Sequence, residues 1–570
     1  MDTSRTKWLA AAVILLAAVA SYVNTFDGEW VWDDMSSVLL HRHVQDPGQF
    51  FQLFCEDQHA FGRGQGNFYR PLVSASFMLD YAVTGGPSPE AIAAAGKAPL
   101  NLPSVVFHFS NLAWHAAAAL LLYALLLRVG APVLAALIAG AFFAAHPLHT
   151  EAVAYISGRA DMMSAAFMFL GMILALGRRS GGGRWAAWSG SLMCFAAALL
   201  SKESSLIYPV LLGIVLAGAW LQDRERAADG DRVSILPRLA PLFGAVLVLI
   251  GYAVLRTTVL RFGGSGMSAS AALGQRLQES GQSFALYVRL LFVPTGLHME
   301  RTLDGVPGWL GPVGWLLLGG IVVAAVAAFS ARQYRITAGL AWFLAAWVPI
   351  SGLFPLNAPM AEHWMYVPMA GFWWAVAEYA VLAFGRSRVR WAPLVLAGAA
   401  CAVFVALTAQ RNHDWHDNER LFVSTLKLNP NSIRVHYNLA VTYEDILKNY
   451  AGARRHYEAI LRLQGQDGSM TTARSATIAE AELRLALGHV LEKLFDPAGA
   501  ASQFQQILKL KNLPEEGMAV EAAIGIGRCY LAMGDWGNAA QVLAQVAQKA
   551  PATLPEVKQL LAGAPLTPEF

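Results

Sequence analysis

The sequence contains little charge for its length. Only 14% of its 570 residues are Asp, Glu, Lys or Arg, whereas 56% are hydrophobic, and the mean hydropathy is +0.42. Soluble domains carry about 25% charged residues, so this composition excludes a water-soluble chain and a disordered one. The sequence therefore predicts a membrane protein.

Cysteines are also few. Cys55, Cys194, Cys401 and Cys529 are far apart and form no C-x-x-C pair, which excludes a secreted disulfide scaffold and argues against thiol catalysis. The net charge of +3 includes no long basic run, which argues against a nucleic-acid partner.

About eleven apolar runs approach the length needed to cross about 30 Å of hydrocarbon. They are Trp8–Val23, Val105–Leu127, Pro132–Ala145, Met162–Leu176, Trp185–Leu200, Leu206–Leu221, Leu239–Leu255, Trp309–Phe329, Ile336–Leu353, Tyr366–Phe384 and Trp391–Leu407. The first run has no small-x-small cleavage site after it, so we interpret it as a retained helix and not a signal peptide. We do not count Ser283–Val293 among the spans and interpret it as an interfacial or re-entrant helix.

Arginines mark alternate connections between the predicted spans, as expected for cytoplasmic loops. The predicted cytoplasmic set is Arg5, Lys7, Arg128, Arg178, Arg179, Arg184, Arg224, Arg226, Arg232, Arg238, Arg332, Arg335, Arg386, Arg388 and Arg390. The opposite, outer set consists of Asn24–Ser104, His146–Asp161, Ser201–Ser205, Arg256–Gly308 and Phe354–Trp364. An odd number of spans places the chain after Gln410 on the outer side as well.

The sequence after Gln410 has the composition of a soluble helical domain with degenerate repeats. Small residues at Ala440, Gly488 and Gly527, each followed by aromatic and alanine positions, fit the tetratricopeptide frame with insertions. We therefore predict two domains, a membrane domain over 1–410 with its first outer loop at 25–104, and a helical-repeat domain over 411–570.

Two adjacent carboxylates, Asp33 and Asp34, follow the first span within the motif W-D-D. Either could cap a helix N-terminus. Their position among tryptophans at a membrane surface also suits a general base or a metal ligand acting on an interfacial substrate.

A second polar cluster joins two apolar runs between His146 and Asp161. Its ionisable members are His146, His149, Glu151, Arg159 and Asp161. Ionisable residues near hydrocarbon are candidates for function, although the charged ones could instead neutralise one another. His146 and His149 could share a metal, but Pro147 between them argues against a regular helix.

Three further polar motifs fall at the predicted outer side. They contain Arg70 in N-F-Y-R-P-L from Asn67, Lys202 and Glu203 in S-K-E-S, and Glu362, His363 and Tyr366 in E-H-W-M-Y-x-P. Individually, Lys202 is consistent with a snorkelling anchor and Arg70 with a surface charge. All five motifs nevertheless lie on one membrane face in a topology derived from other residues, which favours a shared site.

These motifs, in this order and followed by repeats, resemble the transmembrane and tetratricopeptide-repeat-containing protein O-mannosyltransferase family. The most specific stretch is H-P-L-H-T-E-A-V-A-Y-I-S-G-R-A-D. The resemblance implies an all-α fold, with a polytopic GT-C glycosyltransferase domain followed by a tetratricopeptide α-solenoid. It also implies a polyprenyl-phosphate-linked sugar as donor.

The resemblance places the catalytic carboxylate at Asp33 or Asp34, with Asp34 slightly preferred. It implies that Arg70, Lys202, Arg159 and His363 meet the donor phosphate. The family usually has Arg at the position of His363, and an imidazole lacks the fork of a guanidinium. We predict supporting roles for His146, His149, Glu151, Asp161, Glu203, Glu362 and Tyr366.

The predicted function is therefore a membrane glycosyltransferase that moves a sugar, such as mannose, with inversion from an undecaprenyl or dolichyl phosphate. The predicted acceptor is a Ser or Thr hydroxyl of a protein that the repeats bind, with a glycan or lipid acceptor left open. No cofactor is required, although a divalent metal at Asp33, Asp34, His146 or His149 is left open. Composition favours a bacterial inner membrane with the site and repeats in the periplasm.

Two other classes of protein share some of these sequence features. A non-catalytic membrane scaffold that assembles an envelope complex through the repeats would explain the repeats but not the five motifs. A transporter would carry ionisable residues at mid-span, whereas here they are confined to one face.

Overall fold

The chain is described by a computed structural model that covers residues 3–61, 68–85, 102–177, 182–226, 236–259, 273–354, 356, 358–385, 387–389, 391–466, 479–510 and 517–562. Five predicted cytoplasmic arginines, Arg178, Arg179, Arg232, Arg386 and Arg390, lie outside these residues, as does Asn67. The chain divides into two compact units, Met1–Leu421 and Phe422–Phe570.

Regular structure in the described residues is helical, as predicted. The helices are α1 (Thr3–Tyr22), α2 (Pro71–Thr84), α3 (Val105–Arg128), α4 (Val133–Ala145), α5 (Thr150–Val153), α6 (Arg159–Ala175), α7 (Gly182–Leu199), α8 (Tyr208–Arg226), α9 (Leu236–Val254), α10 (Leu273–Phe292), α11 (Leu310–Ser330), α12 (Tyr334–Trp347), α13 (Tyr366–Phe384), α14 (Ala392–Asn412), α15 (Asn418–Leu428), α16 (Ile433–Val441), α17 (Tyr450–Gln466), α18 (Glu480–Lys493), α19 (Pro497–Leu508), α20 (Gly517–Ala532), α21 (Trp536–Lys549) and α22 (Leu554–Ala562).

Eight helices in the described residues are long and apolar enough to cross a membrane, and a ninth span is formed if one bent pair counts as a single crossing. The eight coincide with eight of the predicted runs. The other three runs coincide with the bent pair Val133–Ala145 and Pro147–Val153, with the shorter apolar segment Tyr334–Ile350, and with α7. These helices fit an integral membrane protein.

The bend in this pair creates the turn that carries the second polar cluster. The helices on either side of His146 meet at 49°. Pro147 has no N–H to continue α4, and His146 is in an extended conformation with φ −71° and ψ 130°. The turn and α5 are buried, so the polar residues of this cluster face protein and not lipid.

Close helix packing places the polar turn against α13. Helices α12 and α13 cross at Gly339 and Gly371, where a Cβ on either glycine would overlap atoms of the other helix. Small residues at such crossings let membrane helices approach until their backbones are in contact. The N-terminal end of α13, with Tyr366, is thereby held in the buried core.

The second compact unit, Phe422–Phe570, contains antiparallel helix pairs. Contacts between these helices explain the small residues of the tetratricopeptide frame. A Cβ at Gly488 or Gly525 would overlap the ring of Phe504, and one at Gly527 would overlap Leu543. Phe504 and Leu543 are fully buried, so each glycine makes room for a large core side chain. This arrangement confirms the predicted helical-repeat domain.

Candidate active site

Asp34 is a buried acceptor that links the first loop to the turn before α6. Its Oδ1 accepts hydrogen bonds from the N–H and the hydroxyl of Ser157, at 2.8 and 2.7 Å, and its Oδ2 accepts from the N–H of Val31 at 3.0 Å. The side chain is fully buried. Burial raises the pKa of Asp34 to about 7, although the hydrogen bonds from Ser157 and Val31 oppose the shift.

Asp33 has the opposite environment, since it is only half-buried. The side chain of Asp33 lies within electrostatic reach of the Tyr155 hydroxyl. The ring of His59 lies within electrostatic reach of both Asp33 and Arg70, and burial lowers the pKa of His59 below its ordinary value. Asp33 is therefore the member of the pair that a substrate can approach.

Two cations at this end of the domain pair with carboxylates. The guanidinium of Arg70 donates from Nε and Nη2 to the two oxygens of Glu203, at 3.1 and 2.7 Å. The Nζ of Lys202 donates to Oδ1 of Asp161 at 2.6 Å. Lys202 is buried and Arg70 is mostly so. Three of the predicted motifs therefore supply one charged cluster.

Arg159 pairs with a different carboxylate, that of Asp80. Its guanidinium forms an ion pair with Asp80 at 2.6 Å, and it donates to Asn111 Oδ1, the Ser76 hydroxyl and the carbonyl of Phe107. The side chain is fully buried over the ring of Phe77. These contacts favour the interpretation of Arg159 as part of a structural network.

The two histidines of the second cluster are core residues. His146 donates from Nε2 to the carbonyl of Leu291 and accepts from the N–H of Leu148 at Nδ1. His149 donates from Nδ1 to the carbonyl of Phe143. Each imidazole is held by backbone groups, so the two are not oriented toward a shared ion. In the part of the chain that the structure describes, no three His, Cys, Asp or Glu residues are grouped to hold a metal.

Tyr366 packs against these histidines. Its ring lies 4.3 Å from that of His149, and its hydroxyl donates to Nδ1 of His115 at 2.8 Å. His115 in turn donates from Nε2 to the carbonyl of Ala144. The side chains of Tyr366 and His115 are fully buried, so both stabilise the turn from beneath.

The Glu151 carboxylate joins the second cluster to the motif before α13. It accepts from Nδ1 and from the N–H of His363, at 2.8 and 3.1 Å. These residues are 212 positions apart in the sequence. The predicted grouping of the two motifs is thereby observed, with Glu151 buried and His363 partly exposed.

Glu362 is the acceptor of a second ionic group. Its Oε1 accepts from Nε and Nη2 of Arg301, at 3.0 and 2.7 Å, and from the N–H of His298. Its Oε2 lies 3.9 Å from Nη2 of Arg411, whose Nη1 donates to Asp414. The carboxylate is fully buried, so two guanidinium groups neutralise it.

Sequence reasoning missed four of these residues as site members, namely Asp80, His59, Arg301 and Arg411. Asp80 and Arg411 could have been found, because each is a charge within or at the end of an apolar helix. His59 and Arg301 lie in long loops where single polar residues are common, and no sequence signal distinguishes them.

Comparisons with known proteins agree with the resemblance that the motifs indicate. The chain is 25% identical over 503 residues to protein O-mannosyl-transferase TMTC4 of Mus musculus, covering 79% of this chain and 66% of that protein. It is 23% identical over 494 residues to protein O-mannosyl-transferase TMTC3 of Mus musculus, covering 80% and 51%. Protein O-mannosyl-transferase Tmtc2 of Drosophila melanogaster is 33% identical over 197 residues, covering 33% and 19%.

The chain therefore spans about half to two thirds of the length of the curated relatives that it matches over most of its own length. A family model described as tetratricopeptide repeat matches residues 491–563. Together, these similarities confirm the predicted resemblance to the transmembrane and tetratricopeptide-repeat-containing protein O-mannosyltransferases.

Proposed function

We propose that this protein is a membrane glycosyltransferase that moves a sugar from a polyprenyl phosphate to a Ser or Thr hydroxyl of a protein. The names of its relatives support transfer of mannose to proteins. The observation that carries the proposal is the grouping of an approachable carboxylate, Asp33, with the ion pairs of Arg70 and Lys202 at one end of a membrane domain.

The chemistry requires a base and an anion-binding group on opposite sides of the sugar. The acceptor oxygen forms a bond to the anomeric carbon, and the bond from that carbon to the phosphate oxygen breaks. The electron pair leaves with the polyprenyl phosphate, and the acceptor proton passes to a carboxylate. Attack from the side opposite the leaving group inverts the anomeric configuration.

Asp33 suits the role of base better than Asp34, reversing the order of preference that the sequence suggested. Both oxygens of Asp34 accept hydrogen bonds from Val31 and Ser157, and its side chain is buried. Asp33 is half-buried and lies within electrostatic reach of the Tyr155 hydroxyl. Asp34 then positions the chain, and Asp33 takes the proton.

Arg70 and Lys202 suit the leaving phosphate better than Arg159. Each uses only some of its N–H donors on a carboxylate, Arg70 on Glu203 and Lys202 on Asp161. A guanidinium and an ammonium can therefore add bonds to a phosphate without leaving these partners. Arg159 is fully buried and already bonded to Asp80 and three other groups. His363, held by Glu151, is a weaker candidate.

The repeats are proposed to bind the protein acceptor, because stacked helix pairs offer extended binding surfaces. We place the site and the repeats on the outer face, the periplasm of a bacterium, on the basis of the arginine distribution between spans. No step requires a metal, although the Asp33 carboxylate is chemically able to hold one.

The test compares Asp33→Asn and Asp34→Asn with the wild type in full-length protein reconstituted in nanodiscs. Undecaprenyl phosphate mannose serves as donor and a Thr-containing peptide as acceptor. We expect Asp33→Asn to fold, to bind donor and to lose about 10² to 10⁴ in the rate of transfer. Full transfer by both variants would contradict the role of either carboxylate as the base. No transfer by the wild type itself would contradict the enzyme and favour the scaffold.

A further inference from the structure

Trp32, the residue before Asp33, has a backbone conformation that is unusual for its type. Its φ is +50°, in the left-handed region that bulky side chains rarely adopt. Three other described non-glycine residues, Arg332, Lys448 and Phe495, have positive φ. Each of these follows the last residue of a helix by two positions, where a left-handed residue commonly ends the helix.

Trp32 has no such explanation, because the preceding helical turn ends seven residues earlier at Thr25. This conformation places the N–H and the indole ring of Trp32 against two different partners. The N–H of Trp32 donates to Oδ1 of Asn418 at 2.8 Å, and its ring stacks on Tyr155 with centroids 5.6 Å apart and planes at 21°. Strain of this kind is kept only where surrounding contacts impose it.

The stack continues beneath Trp32. The ring of Tyr155 lies 5.4 Å from that of Trp415 at 33°, and both rings are buried. The hydroxyl of Tyr155 lies within electrostatic reach of the side chain of Asp33. Trp32 is only half-buried. The three rings therefore form a supported aromatic platform, whose outermost member lies directly beside Asp33.

We propose that Trp32 forms one wall of the acceptor subsite and packs against the peptide segment that presents the hydroxyl. This inference rests on the proposed function, in which Asp33 takes the acceptor proton. Consecutive Cα atoms are about 3.8 Å apart, so an acceptor hydroxyl held against Asp33 brings its own chain within reach of the indole.

The geometry of displacement assigns the platform to the acceptor and not to the leaving group. In-line attack places the incoming oxygen and the departing phosphate on opposite sides of the anomeric carbon. Arg70 and Lys202 lie at the phosphate side in the proposed function, and His59 is within electrostatic reach of both Arg70 and Asp33. Trp32, which precedes Asp33 in the chain, belongs to the acceptor side.

The fitting ligand is an extended peptide with a small residue next to the reacting Ser or Thr. A flat indole offers a large apolar contact to aliphatic peptide groups, and its two χ angles are already restrained by stacking. A charged or bulky neighbour of the reacting residue would not lie flat on this surface.

The experiment measures peptide binding and transfer separately in the full-length protein in nanodiscs. The probes are undecaprenyl phosphate mannose and an extended peptide of Thr and Ala. We expect Trp32→Gly to weaken peptide binding about tenfold and to raise the KM for peptide, with the KM for donor unchanged. Trp32→Phe should restore most of the binding, because it keeps a stacking ring.

A matched control is Phe495→Gly, which relieves the same backbone conformation at an exposed position with φ +57°. It should leave peptide binding unchanged. Glycine adopts positive φ readily, so Trp32→Gly should not lower the unfolding temperature more than this control does. Loss of peptide binding together with a large loss of stability in Trp32→Gly would overturn the platform as a binding surface.

Different results would contradict the aromatic platform and the proposed function. Peptide binding that is equal in Asp33→Asn and in Asp33→Asn combined with Trp32→Gly overturns the platform, whatever the activity. A change in the KM for donor alone also overturns it. Peptide binding that depends on Trp32 in a protein that transfers no sugar supports the platform and contradicts the proposed function.

Discussion

Asp34 and Ser157 are joined by two hydrogen bonds across 123 residues of sequence, from the N–H and the hydroxyl of Ser157 to one carboxylate oxygen. The contact attaches the W-D-D loop to the turn that begins α6. Since the other oxygen accepts from Val31, the loop is held on both sides of Asp33. The buried carboxylate therefore positions its more exposed neighbour.

The first prediction concerns the stability of Asp34→Asn. The new amide NH₂ cannot accept a hydrogen bond. It would face a donor of Val31 or Ser157 that the carboxylate now accepts from, so that a buried donor loses its acceptor. We expect the free energy of unfolding to fall by about 1–3 kcal/mol, as measured by thermal unfolding in detergent. Asp33→Asn, at a half-buried position, is the control and should unfold at nearly the wild-type temperature.

The free energy of unfolding should depend on pH differently in the wild type and in Asp34→Asn. Burial raises the pKa of Asp34 from 3.8 to about 7, so the folded state holds this proton more tightly than the unfolded chain. The resulting stability is complete below about pH 4 and is lost as the pH rises through about 7. The wild type should lose more stability than Asp34→Asn between about pH 5 and pH 8. Parallel curves would contradict the raised pKa.

Arg70→Gln and Lys202→Gln are each expected to weaken donor binding about ten- to a hundredfold, because each removes charge-assisted bonds to the phosphate. Glu203→Gln is the control for loss of the ion pair alone, since it breaks the same pair while leaving Arg70 in place. Binding is measured with undecaprenyl phosphate mannose. If both cation variants bind the donor with wild-type affinity, Arg70 and Lys202 have structural roles only.

Arg159→Met is expected to act on folding and not on the donor. It leaves the Asp80 carboxylate buried without its cation, which typically costs about 3–5 kcal/mol. A second substitution, Asp80→Asn, should restore much of the lost stability. A stable Arg159→Met protein with weakened donor binding would show that Arg159 contacts the phosphate.

Removal of the chain after Leu428 tests the role of the repeats. We expect transfer to a folded protein acceptor to fall much more than hydrolysis of the donor, because the residues of the proposed site lie within Met1–Leu421. Both rates are measured on the same preparation. If they fall equally, the repeats support the membrane unit and do not bind the acceptor.

The orientation of the chain is tested by a reporter fused after Phe570 that is active only in the cytoplasm. The arginine distribution and the odd number of predicted spans place this end on the outer side, so the reporter should be inactive. A fusion after Arg128, in a predicted cytoplasmic loop, is the positive control. Strong activity from the first fusion would reverse the proposed topology.

Hydropathy and repeat pattern were sufficient for the fold. Each of the eleven predicted runs coincides with a helix, and the frame glycines Gly488 and Gly527 lie at close helix contacts. These features could be predicted because they depend on local sequence: an apolar run of sufficient length must be helical in lipid, and a helix pair needs small residues where its members meet.

The partners of the charged residues could not be predicted. Glu151 pairs with His363 and Glu362 with Arg301, and nothing in either motif specifies the other. Pairing across such sequence distances depends on which helix ends the packing brings together. The structure joins the motifs by individual contacts, such as those of Asp34 with Ser157 and of Lys202 with Asp161. That all five lie on one membrane face stays a prediction, based on the tendency of ionisable residues to avoid hydrocarbon.

By itself, the sequence determined that this is a helical membrane protein with a repeat domain, and which polar motifs are candidates for function. Only the tertiary structure decided that Asp34 is buried and Asp33 approachable, and that Arg159 is bonded to Asp80 whereas Arg70 and Lys202 keep free donor capacity. The physical reason is that solvation and hydrogen bonding decide the role of a charged side chain. Both depend on neighbours that folding brings from distant parts of the chain.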